Sequence, residues 1–253
     1  MFEWLRGKPS CPVDDETKDW IESRFDWLTN EFGLERMTRA QTIVPTEEFL
    51  PLSYDNSIEG LEDLMRRVGT YIGVNSTLLK LSFYEDERPF ISDTVRESSD
   101  GERESLDDSE ATEIWLEVNS LEDPGHVVGC LARELAYVVL SRNARLGRSE
   151  PDYEPTAELM TVYSGLGIFP ANSVILETNW SEGQWSGWTV GKSGLLSMDM
   201  YGYAMSLYTL ARNEPEPAWA VHLRPDVAAA LKRGVRYIQT TSDCSFAPAR
   251  RCR

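Results

Sequence analysis

Asp123-Pro124-Gly125-His126-Val127-Val128-Gly129-Cys130-Leu131-Ala132-Arg133-Glu134-Leu135-Ala136-Tyr137 is the stretch on which the reading of this chain turns. Asp123 is a strong helix N-cap, because its carboxylate can accept from the free N–H groups of a first turn. Pro124 falls where a proline has no helical N–H to lose. Val128, Leu131, Leu135 and Val138 recur at helical spacing, so the pattern predicts a helix running to Leu140 with one apolar stripe. On another side His126, Cys130, Arg133, Glu134 and Tyr137 stack one above the other.

The pentad Arg133-Glu134-Leu135-Ala136-Tyr137 has the frame of a known metal motif. A zinc site of the HExxH type places two imidazoles at i and i+4, so that both reach one ion, and the glutamate beside the first activates the bound water. Here the glutamate is kept and both imidazole positions hold other residues. In glutamate-type zinc peptidases a third ligand follows on another helix in an ExxxD pattern. Glu154-Pro155-Thr156-Ala157-Glu158 has that form, with Glu for Asp at the second acidic position, and begins 17 residues after Tyr137.

Tyr163-Ser164-Gly165-Leu166-Gly167-Ile168-Phe169, with Ala171-Asn172, comes next. Taken together the three segments resemble a group of bacterial zincin-like proteins that read AHELAH, then E-P-x-T-D, then G-x-G-[IV]-F-x-x-N. Phe32-Gly33-Leu34-Glu35-Arg36, Tyr71-Ile72-Gly73-Val74, Gly194-Leu195-Leu196-Ser197 and Tyr201-Gly202-Tyr203-Ala204 are similar to that group as well. The resemblance touches most of the chain except residues 85–110. It implies a zincin-like fold and an ancestral zinc site, with Glu134 as vestigial general base and Glu154 as vestigial ligand, and it implies no pathway.

The departures from the pattern decide what is expected of the site. Arg133 is cationic at any accessible pH and cannot bind Zn²⁺. Tyr137 would have to ionise near pH ~10 before it could compete as a ligand. Losing two imidazoles should remove most of the ~10–16 kcal/mol that zinc can supply. His126 lies two turns before Glu134, ~12 Å along the axis, and cannot share an ion with it. No metal and no other cofactor is therefore expected. With the dication gone, Glu134, Glu154 and Glu158 would repel one another in a cleft, and a guanidinium would relieve that. The expectation is an ion pair from Arg133 to Glu154 or Glu158, with Tyr137 giving its hydroxyl to Glu154.

Around this centre, residues 14–32 read as an amphipathic helix carrying Ile21, Phe25, Leu28 and Phe32, stopped by Gly33. Leu61, Leu64, Met65, Val68 and Ile72 make another, closed by Gly73. Gln41 to Val44 suits a short strand. Leu79, Leu81 and Phe83 alternate, as do Ile114, Leu116 and Val118, which predicts two half-buried strands. Further helices are expected from Ser197, with Tyr201, Ala204, Met205 and Tyr208 on one face, and from Asp226, with Val227, Leu231, Val235 and Ile238. These elements predict one α+β domain over 1–253, with residues 1–75 as a candidate N-terminal lobe. A short mixed sheet would pack on the 124–141 helix, the degenerate metal-site helices would span 123–172, and the C-terminal part would be mostly helical over 197–240.

A net charge of -17, with no Lys/Arg run in the chain, argues against nucleic acid or an anionic membrane as partner, since both need a positive face. Met1-Phe2-Glu3-Trp4-Leu5-Arg6 lacks the apolar run of a secretory signal, and no segment approaches a membrane span, so a cytoplasmic location is expected. Cys11, Cys130, Cys244 and Cys252 show no metal-ligand spacing and read as free thiols, Cys130 as a small buried apolar group. Glu97 to Glu110 holds seven carboxylates and one arginine, a solvated acidic loop or a surface for a basic partner. Trp180, Trp185 and Trp188 read as core packing or, alternatively, as a sugar or peptide groove. Gly165-Leu166-Gly167 reads as packing rather than a phosphate loop, and His222 as a structural residue.

The sequence thus points to a pseudoenzyme: a metallopeptidase-like protein without catalytic zinc, in a binding or regulatory role toward a protein or peptide partner. Two alternatives stay open. One is a working hydrolase with Glu134 as general base at a non-classical site. The other is an acidic protein-interaction module unrelated to zincins.

Overall fold

The computed structural model of the chain describes residues 9–48, 57–84, 112–142, 146, 150–182, 185–192 and 194–251. Their order is α1 (Asp15–Phe32), α2 (Leu34–Arg39), α3 (Ile58–Ile72), β1 (Leu79–Tyr84), β2 (Thr112–Glu117), α4 (Pro124–Ser141), α5 (Tyr153–Tyr163), α6 (Ile168–Asn172), β3 (Ile175–Glu182), β4 (Trp185–Lys192), α7 (Met198–Ala211) and α8 (Pro225–Thr241). The fold is a mostly helical α+β arrangement.

The helices begin and end where local chemistry directs. Asp14 accepts from the Thr17 N–H at 2.9 Å and opens α1. Gly33 closes it at φ 93°, its N–H reaching the Thr29 carbonyl. Ser57 caps α3, and Gly73 ends it in the left-handed region. Asp123 Oδ1 accepts from Gly125 N at 2.8 Å and His126 N at 3.3 Å, which satisfies two orphan donors of α4.

The strands are simpler than expected. β1 and β2 pair in parallel, Leu79 against Thr112 through Tyr84 against Glu117. β3 and β4 form a separate antiparallel hairpin. The expected mixed sheet is therefore, among the described residues, a parallel pair and a hairpin that do not join. A parallel pair needs a long crossover, and the chain between Tyr84 and Thr112 supplies its length; the acidic segment 85–110 lies outside the described residues. Val118 leaves the β2 ladder for a short 3-10 turn. Gln41 to Val44 forms no strand. Its Ile43 N–H donates to the Gly165 carbonyl at 2.8 Å, but no ladder follows, because Pro45 has no N–H to continue one.

α4 is the centre of the molecule. Besides Val128, Leu131 and Leu135, its Val127, Ala132, Ala136 and Leu140 are all fully buried. A helix apolar on nearly every side must be wrapped, and α3, α5, α6 and β2 pack around it. α7 is the second enclosed helix, with Tyr201 to Leu210 buried throughout, and lies against α8. α1 joins α5 to α7. The chain beyond α8 returns to α1: Phe246 meets Phe25 edge-on at 5.8 Å, and buried Glu22 accepts from Tyr203 Oη and from the Ser245 N–H and hydroxyl, both at 2.6 Å. No helix among the described residues is long and apolar enough to cross a membrane.

Candidate functional site

α4 and α5 pack together and bring both halves of the acidic motif to one place. Arg133 and Tyr137 sit one turn apart on α4, Glu154 and Glu158 one turn apart on α5. The phenol of Tyr137 lies within electrostatic range of Arg133, Glu134, Glu154 and Glu158.

Glu158 is the most deeply placed, its side chain only 2% exposed. Oε1 accepts from the Leu195 N–H at 2.7 Å, and Oε2 from the Leu196 N–H at 2.9 Å and the Tyr201 hydroxyl at 3.1 Å. Three donors satisfy a buried carboxylate and tie α5 to the turn before α7. Gly194 makes that turn possible. Its φ is +78°, and a Cβ there would stand 2.5 Å from Glu158 Oε1.

Arg133 faces this carboxylate. Nη1 is 4.0 Å from Glu158 Oε1, and Nη2 is 3.9 Å from Cys130 Sγ. Of the two expected pairings, Glu158 is the partner brought within ion-pair range. Burial works against the guanidinium's charge, but Cys130, Glu134, Tyr137 and Glu158 outweigh it and hold the group above its ordinary pKa. The site keeps a fixed positive charge at every accessible pH.

Tyr137 does something other than expected. Among the described residues it makes no hydrogen bond to Glu154. Its ring stacks on Tyr153, with centroids 5.4 Å apart and planes at 22°, and its carbonyl accepts from the Tyr153 hydroxyl at 3.0 Å. The ring thus lies against the residue just before Glu154. Burial lifts the phenol far above its ordinary pKa, with Arg133 opposing and Glu134, Glu154 and Glu158 adding. The phenolate needed to meet a metal is thereby suppressed.

A feature not anticipated lies one turn up the helix. His126 Nε2 is 3.4 Å from Cys130 Sγ. Cys130 is thus part of a polar chain rather than only an apolar filler. Burial pushes its thiol up to about 11, with Arg133 partly countering. Burial and then Arg133 hold His126 below its ordinary pKa. The contact is made either by S–H donating to Nε2 or by Nε2–H donating to the sulfur, according to the imidazole tautomer. The i, i+4 spacing of His126 and Cys130 is the signal that could have revealed the pair. His126, Cys130, Arg133, Ser173 and Tyr201 line a recess of about 10 Å³, room for roughly one water molecule.

Other expected residues serve the scaffold. The His222 carbonyl accepts from Asn172 Nδ2 at 2.8 Å, while Asn172 Oδ1 accepts from the Arg224 N–H at 2.9 Å. Asn172 therefore pins the entry to α8. Gly165 sits against the Gln41 carbonyl, a packing turn. The side chains of Trp180, Trp185 and Trp188 lie outside the described residues, as does Cys252. Among the described residues, no three His, Cys, Asp or Glu side chains converge as a metal centre would require. Comparison of the chain with protein-family models, curated proteins and solved structures finds no match.

Proposed function

We propose that this chain is a zincin-like protein whose metal site has been replaced by an internal cation, and that it acts by binding rather than by catalysis. The observation that carries the reading is the Arg133 guanidinium of α4 set 4.0 Å from the buried Glu158 carboxylate of α5. In an RExxY…ExxxE frame that is where a dication and its ligands would belong.

The residues present do not fit zinc. A permanent guanidinium repels a second cation, and a phenol held far above its ordinary pKa offers no anionic ligand. The retained role is a scaffold in which Arg133 offsets the buried Glu158 charge, acting toward a protein or peptide partner.

Two measurements test the reading. Protein purified without chelator should carry no stoichiometric zinc and cleave no generic peptide substrate. Zinc that survives dialysis and vanishes in Glu154→Ala would overturn it in favour of a working hydrolase with Glu134 as base. In the opposite direction, Arg133→His with Tyr137→His should create measurable zinc affinity. A folded double variant without any would count against an ancestral metal cleft.

A further inference from the structure

The charge of this chain is unevenly spread. Residues 224–253 hold seven Lys or Arg and two Asp, while the rest of the chain holds 18 cations against 40 carboxylates. In so acidic a molecule a surface cation readily finds a carboxylate. Arg39 takes Glu35, Arg66 and Arg67 share Asp63, Lys80 takes Glu113 and Arg224 takes Asp226. The outward face of α8 departs from that pattern. Ala229, Lys232, Arg233, Arg236 and Gln239 recur at helical spacing and are all exposed, opposite the buried Val227, Leu231 and Ile238. Arg233 reaches Asp199 of α7 in a half-exposed pair. Lys232 and Arg236 have no carboxylate within ion-pair range among the described residues.

α1 presents the opposite sign. Asp15, Asp19, Ser23, Asp26 and Asn30 form one exposed stripe along it. The two cations of the helix, Lys18 and Arg24, are drawn to Asp243 and Asp152. Asp19 keeps 74% of its side chain exposed even with Lys18 Nζ at 3.6 Å. Both helices pack on α7. They are joined at Asp243, which accepts from the Tyr237 hydroxyl of α8 and pairs with Lys18 of α1 at 3.0 Å. Both charged faces are exposed, so neither neutralises the other within one copy.

We propose that the chain pairs with a second copy of itself about a two-fold axis. The Lys232 and Arg236 face of each α8 lies against the Asp15, Asp19 and Asp26 stripe of the other copy's α1. Because each copy carries both signs on neighbouring helices, one contact surface satisfies both faces at once, as an isologous dimer requires. Complementary charge of this exposed kind sets register and encounter rate more than affinity, so the dimer is weak and salt-sensitive. The pairing uses neither Arg133 nor Glu158, and failure of the zinc-reversal variants would leave it standing.

Sedimentation of the intact chain in ~50 mM salt should show a monomer–dimer equilibrium. Its dissociation constant should rise at least ~10-fold in ~500 mM salt, where screening shortens the reach of exposed charges. Lys232→Glu with Arg236→Glu should abolish the dimer, and so should Asp19→Lys with Asp26→Lys. All four side chains are exposed, so both variants should keep the native fold and melt close to the native protein. Mixing the two reversed variants should restore a one-to-one dimer, because each face then meets its opposite sign. A native chain that stays monomeric at ~200 μM in low salt would overturn the proposal. Association that neither reversal weakens, or a mixture that stays monomeric, would overturn it as well. So would a monomer whose α8 face binds polyglutamate, which would make the occupant an acidic segment of another protein.

Discussion

Replacing Glu158 by Gln should be among the costliest single changes in the molecule. The native carboxylate is 2% exposed and accepts three hydrogen bonds, with both oxygens in use. An amide keeps one acceptor and turns an N–H₂ toward either Leu195 N–H or the Leu196 N–H and Tyr201 hydroxyl. Donor then faces donor, at a loss of ~1.5–3 kcal/mol per charged hydrogen bond. The same change strips Arg133 of its counter-charge. At 4.0 Å that attraction is roughly 4 kcal/mol for an effective dielectric of about 20, before desolvation is subtracted. Removing one member of a buried pair costs ~3–5 kcal/mol in comparable cases, and that is the expected loss here. For a chain of this size it lowers Tm by roughly 10 °C. Urea denaturation of the wild type, Glu158→Gln, Arg133→Met and the double variant would measure both the loss and its origin. The double variant leaves no unpaired charge, so it should be more stable than the sum of the single losses by at least ~1 kcal/mol. A Glu158→Gln protein within ~1 kcal/mol of wild type, or strict additivity in the cycle, would refute the account of Glu158 as joint anchor of the turn and the guanidinium.

Gly202→Ala should break the α7–α8 contact, because the added methyl would stand 2.3 Å from the Ala230 Cβ and 2.9 Å from the backbone of Ala230 and Leu231; a loss of ~1–3 kcal/mol in equilibrium unfolding is expected. Glu22→Ala should release the chain beyond α8, exposing the fully buried Phe246 to chymotrypsin at a bond the native protein protects. In a variant whose other cysteines are replaced by serine, Cys130 should alkylate slowly at neutral pH and faster only as pH climbs toward about 11. The folded state holds that thiol proton more tightly than the unfolded chain does. Cys130 therefore adds stability below an unfolded thiol pKa of ~8.5, and the contribution is lost as pH rises toward about 11.

Much of the scaffold could be read before any coordinates. Asp14, Ser57 and Asp123 cap helices because a short side-chain oxygen reaches the next free N–H, and Gly33 and Gly73 end helices because only glycine adopts their φ cheaply. These are effects within one turn, so sequence carries them whole. The apolar periodicity of α1, α3 and α8 is similarly local. The charge of the site was legible too, since the pattern of Arg133, Glu154 and Glu158 demanded compensation.

What only the tertiary structure decided is who meets whom. Gln41 to Val44 had the composition of a strand but found a single carbonyl, that of Gly165, and no neighbouring ladder. Tyr137 had a carboxylate within reach of its motif, yet Tyr153 offered a flat apolar face and the stacking won. Glu158 rather than Glu154 faces Arg133 because the turn at Gly194 to Leu196 closes over it from 36 residues further along the chain. Caps and periods are properties of neighbours along the chain; pairing of buried charges and rings depends on which surfaces the folded chain presses together, and no local pattern encodes that.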